Sequence, residues 1–207
     1  MPLTHWLAFV ITASLVIIFP GPTVLTVISY SATHGRRATL PLVAAVGLGD
    51  AVAVAVSLLG LGALLQVSAF WFTALKLCGG LYLIYLGVKS LRAGLAKAEA
   101  ARPKQLSGGR LFSNTFVITA LNPKSITFFV ALLPQFVYGK HNVLGQLWLM
   151  AATFVVLATI NATTYATFAS TLGRWLTAPR ARRGFHLAGG SLLTAAGTWA
   201  LLAKRQT

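Results

Sequence analysis

The chain has 207 residues, 57% of them apolar and 9% charged, with a mean hydropathy of +0.77. That balance excludes an ordinary soluble domain and places the chain in a lipid bilayer. Seventeen Lys and Arg face two acids, Asp50 and Glu99, for a formal charge of +15; the basic residues sit between apolar segments, so they read as orientation signals and not as a nucleic-acid surface.

A membrane-spanning helix takes roughly 20 apolar residues, and six stretches approach that length: 5–31, 40–66, 68–90, 112–138, 145–171 and 184–203. Continuous runs such as LVIIF, VAVAVSLLGLGALL and FFVALL exclude the short alternating segments of a membrane β-barrel. The predicted fold is all-α, a polytopic membrane protein with one transmembrane domain over 1–207. The opening MPLTHW lacks the positive start of a secretory signal, so the first segment is read as a retained membrane helix.

The first segment carries IFPGPTVLTV at 18–27, in which Pro20, Gly21 and Pro22 interrupt an otherwise apolar helix. Backbone groups freed at membrane depth are tolerated only where they are buried in protein or line a wet cavity. In the second segment Asp50 follows Gly47 and Gly49 in VGLGDAVAV, roughly 15 Å deep by helical rise. It is the sole acid in any spanning segment, and an unpaired carboxylate there costs several kcal/mol unless it binds a proton or a cation. That makes it a candidate proton carrier. The third segment holds Cys78, which has no partner for a disulfide, and Lys76 in FTALKLCGG, one of two lysines placed to offset Asp50.

The loop 91–111, with Arg92, Lys97, Arg102, Lys104 and Arg110, reads as a short basic surface helix and a Gly-rich link lying on anionic lipid. The fourth segment contains the second interruption, Asn122, Pro123 and Lys124 in LNPKSITFFVALLPQF. Lys124 is the other possible partner of Asp50, and the surplus positive charge is suited to a carboxylate. Pro22 and Pro123 are 101 residues apart, so a 3+3 inverted repeat with broken helices 1 and 4 is predicted, with a binding site at the repeat interface. Asn161, Thr163, Thr164 and Thr167 of the fifth segment are candidates for lining that cavity or for holding helices together. Arg36 and Arg37, the 91–111 loop, and the loop with Arg174, Arg180, Arg182 and Arg183 share one side. The positive-inside rule makes that side cytoplasmic and puts both termini outside. No phosphate-binding GxxxxGK[ST] loop and no metal-ligand spacing of His occurs, so no cofactor, metal or catalytic residue is predicted.

PGPTVLTVISYSATHGRRA, GLGDAVAVAVSLLGLGALL, LKLCGGLYLIYLG and LNPKSITFFVALLPQF, in this order, resemble the LysE/RhtB family of bacterial amino-acid exporters. The resemblance implies a six-segment, homo-oligomeric exporter of small amino acids driven by protons across the inner membrane. It carries site roles onto Pro20, Gly21, Pro22, Asp50, Asn122, Pro123 and Lys124. The residue after PGP is often Asn in the family and is Thr23 here. The THGRRA loop is closer to the homoserine and threonine branch, and a single intramembrane acid favours neutral over basic substrates. Two other classes remain open on the residues alone: an uncoupled channel or uniporter, and a membrane scaffold whose lysines hold lipid head groups. A scaffold has no need of two broken helices and a buried Asp.

Overall fold

A computed structural model describes the backbone of residues 1–19, 21–67, 69–95, 106–139, 141–176 and 178–202, with side chains except at 61–67, 69–73, 75–76, 172–176, 179 and 182. Among these residues there is helix and no strand. The α-helices are α1 (Leu3–Ile18), α2 (Pro22–His34), α3 (Thr39–Val67), α4 (Ala69–Leu95), α5 (Gly108–Ala120), α6 (Pro123–Thr127), α7 (Val143–Leu176) and α8 (Pro179–Leu202). α1 with α2, and α5 with α6 and its continuation, each form one broken membrane segment, which gives six segments among the described residues. Among the described residues three stretches, Pro22–Gly60, Gly108–Phe136 and Val143–Thr171, are long and apolar enough to cross a membrane. Leu40, Val56, Leu59, Ile160 and Leu202 are exposed on the outer surface, the arrangement a lipid-facing surface requires. The chain is an all-α polytopic membrane protein.

α7 lies centrally, packed on α1, α2 and α3, while α3 also packs along α5. Phe9, Phe128, Phe129 and Phe154 form the heart of the core, with Phe129 and Phe154 edge to face at 4.7 Å between ring centres. After α6 the backbone widens into a π-turn over Phe128–Leu132 and then tightens into a 3-10 turn over Leu133–Phe136. Pro134 supplies no N–H, so the regular ladder fails there. The Gln135 side chain donates to the Ala131 carbonyl at 2.7 Å. α4 and α8 pair through facing small residues: a Cβ added at Gly190 or Gly197 would come within 2.7 or 2.6 Å of the Gly87 or Gly80 carbonyl oxygen. Such seams let helix backbones approach where there is no water to drive packing.

Candidate functional site

The centre of the molecule is organised by the end of α1. In an uninterrupted helix Val16 and Ile18 would receive N–H groups from residues 20 and 22, but both are prolines and have none to give. Other helices supply the donors. The Lys124 ammonium donates to the Val16 and Phe19 carbonyls, each at 2.9 Å. The Asn161 amide donates to Ile17 at 3.3 Å, and the Tyr165 hydroxyl to Ile18 at 2.7 Å. Four consecutive carbonyls, 16 to 19, are thus satisfied by side chains distant in sequence. Lys124 also puts a positive charge at the negative end of the α1 dipole, the favourable sign.

The second break is closed locally. Asn122 is the N-cap of α6, its side chain accepting from the Lys124 N–H at 3.0 Å, with Pro123 in the first helical position. The Asn122 N–H turns back to the Thr119 carbonyl at 3.0 Å. The remaining Asn122 amide group donates to the Thr23 hydroxyl at 3.1 Å, a buried bond joining the two broken segments. Gly21 completes the contact: a Cβ there would sit 3.4 Å from three atoms of the Lys124 side chain. That is ordinary van der Waals distance, so the turn lies directly beside the lysine.

Asp50 lies in α3 and is 4% exposed, and its Oδ1 has no hydrogen-bond partner. The groups bearing on it electrostatically are the Ser125 hydroxyl and the Lys124 ammonium, at the start of α6. No ion pair within 4.0 Å forms among the described residues. Lys124 therefore spends two of its three N–H donors on α1 and faces Asp50 without closing on it. No side chain caps the start of α2, so its positive end is available to an anion. The site thus combines a buried, incompletely paired carboxylate with an uncapped helix start and a lysine that has one donor to spare.

Of the residues singled out in the sequence, Gly21, Pro22, Thr23, Asn122, Pro123, Lys124, Asp50 and Asn161 come together here. Thr164 does not: it is exposed, and its hydroxyl bonds the Ile160 carbonyl of its own helix at 2.9 Å. Pro20 and the Lys76 side chain lie outside the described residues. Tyr165 was missed, although Asn161 and Tyr165 stand at the i, i+4 spacing that shares a helix face. A groove lined by Leu91, Thr194, Thr198 and Trp199 on the α4–α8 pair carries no charge for an ionic substrate.

A polytopic all-α membrane protein with two interrupted helices meeting around a buried carboxylate is the architecture of a small-solute translocator. The chain belongs to the LysE family, whose description as LysE type translocator matches residues 14–204. It is 32% identical over 204 residues to a homoserine/homoserine lactone efflux protein of Salmonella typhimurium, covering 99% of this chain and 98% of the relative. It is 30% identical over 204 residues to a membrane protein of Vibrio cholerae, covering 99% and 100%. A leucine efflux protein of Salmonella choleraesuis is 29% identical over 136 residues, 65% of this chain and 64% of the relative. No solved structure matches the chain.

Proposed function

We propose that the protein exports small neutral amino acids, of the homoserine, threonine or leucine kind, across the cytoplasmic membrane in exchange for protons. The observation that carries this reading is the unequal state of the groups at the break. The α1 carbonyls are saturated, whereas Asp50 Oδ1, the start of α2 and one donor of Lys124 are not. A zwitterion matches that set. Its carboxylate fits the α2 N-terminus and the spare Lys124 donor, and its ammonium fits Asp50. A proton and an ammonium compete for the same carboxylate, so loading one displaces the other, which is the requirement for antiport. A side chain with a second positive charge finds no further acid, since Asp50 is the sole acid in the spanning segments. The names of the efflux relatives agree with substrates of this class.

In this reading the two broken segments open the halves of a 3+3 inverted repeat, with the substrate held where they meet. The basic loops face the cytoplasm, both termini lie outside, and copies of the chain associate in the membrane. Uptake of labelled homoserine, threonine, leucine and lysine into inside-out vesicles tests the proposal, with and without a pH gradient. Accumulation of the neutral substrates should collapse when the gradient is dissipated. Equal entry with and without the gradient would identify an uncoupled channel or uniporter, and preferential lysine uptake would identify a basic amino-acid exporter.

A further inference from the structure

Two groups of helix hydroxyls contrast in this molecule. Those of Thr12, Thr26, Thr33, Thr163 and Thr164 lie at the periphery and bond the carbonyl four residues back, the ordinary arrangement for Ser and Thr in a helix. Ser31 in α2 and Thr115 and Thr119 in α5 are fully buried at 0% exposure, and their oxygens have no hydrogen-bond partner. A buried hydroxyl without a partner is unfavourable, and where several cluster, water is the usual partner.

Close packing, two hydrogen bonds and helical rise set where the three hydroxyls stand relative to Asp50. Gly49 packs so closely on α5 that a Cβ there would lie 2.8 Å from Thr119 Cβ, which places Thr119 beside the residue preceding Asp50. Thr115 is one helical turn further along the same face. Two hydrogen bonds clamp α2 against the chain around α5: Thr23 with Asn122 in the middle of the molecule, and the Leu106 N–H donating to His34 Nε2 at 2.8 Å near the other end. The segments run antiparallel between these clamps. By helical rise Ser31 lies about 12 Å from the inner clamp and Thr115 about 10 Å, so they share one depth. On the same helices Val27, Leu42, Val46 and Leu111 belong to an apolar cluster that Ala162 and Ala166 of α7 complete.

We propose that Ser31, Thr115 and Thr119 line a file of water that carries protons between Asp50 and the basic end of α2 and α5, closed at its mouth by the His34–Leu106 bond. Each water or hydroxyl in the file accepts one proton and passes on another, so no charge is left in the apolar cluster. At the mouth stand Tyr30, whose carbonyl bonds His34 Nδ1 at 3.0 Å, and beyond it Arg36, Arg37 and Arg110. The proposal rests on the reading of Asp50 as the proton-carrying group, and extends it to the route by which the proton leaves.

The test follows deuterium entry into the protonated Asp50 carboxyl of the reconstituted full chain by infrared spectroscopy, its C=O band being identified by its loss in Asp50→Asn. Thr115→Val and Thr119→Val keep the side-chain shape and remove the hydroxyl, and should slow deuteration by roughly tenfold or more. Thr115→Ser and Thr119→Ser restore the hydroxyl and should exchange at the wild-type rate, which separates the route from a packing effect. Val variants that exchange as fast as the wild type overturn the file, as do Ser variants as slow as Val. Gradient-driven transport by Asp50→Asn in the same vesicles reports separately on coupling: if that transport persists, the coupling reading fails while the deuteration comparison still decides the route.

Discussion

Replacing Tyr165 by Phe removes one oxygen and keeps the ring, so it isolates the remote capping of α1. The lost bond is the 2.7 Å contact to the Ile18 carbonyl, whose usual donor is absent because residue 22 is proline. Ile18 is half exposed, but at membrane depth no water takes the place of a lost donor, so a carbonyl left without a partner there costs about 1 to 3 kcal/mol, and each kcal/mol moves the melting temperature of a chain this size by about 2 to 4 °C. Thermal unfolding in detergent should therefore shift Tyr165→Phe down by about 2 to 12 °C. The control Thr164→Val, on the exposed face of the same helix, should stay within about 0.5 kcal/mol. Pro22→Ala supplies an N–H that can bond Ile18, so Tyr165→Phe should cost less in that background, a coupling of about 0.5 kcal/mol or more. An unchanged melting temperature in Tyr165→Phe, or strict additivity with Pro22→Ala, would refute remote capping of the broken helix.

Asp50→Asn should abolish accumulation against a gradient and also weaken exchange of substrate for substrate, since the substrate ammonium loses its carboxylate, while abundance and melting temperature stay near normal because Lys124 retains its two α1 carbonyls; a tight structural ion pair would instead predict a loss of about 3 to 5 kcal/mol of stability and a fall in abundance. Gly49→Ala brings a Cβ to 2.8 Å from Thr119 Cβ and 3.1 Å from the Phe116 carbonyl and should destabilise the α3–α5 contact by about 1 to 3 kcal/mol, read as lower abundance and melting temperature; an unchanged melting temperature would show that the two helices separate easily. In a background without Cys78, cysteines at Gln66 and His141 should react with an impermeant thiol reagent from outside and one at Ser107 should not, the reverse pattern inverting the topology.

Covalent structure and hydropathy alone dictate the spanning helices and where they break. The lengths of the apolar runs require spanning helices, and Pro20, Pro22 and Pro123 remove N–H donors wherever the chain goes, so breaks in helices 1 and 4 were legible. The second break is repaired locally, with Asn122 capping α6, and Asn before Pro is a helix-start signal that the reading of 122–124 as a bare interruption did not use. The repair of the first break depends on how the helices pack. Its donors are Lys124, Asn161 and Tyr165, 105 to 147 residues from the carbonyls they bond, and no local pattern states which side chain will reach a given carbonyl. The choice of Tyr165 over Thr164 turns on the rotation of α7, which is set by packing against α1, α2 and α3. The contacts of Lys124 follow the same logic. Sequence offered it as a partner for Asp50, but an ammonium takes the nearest well-aligned acceptors, and folding set the freed α1 carbonyls within 2.9 Å of it, leaving the carboxylate incompletely paired.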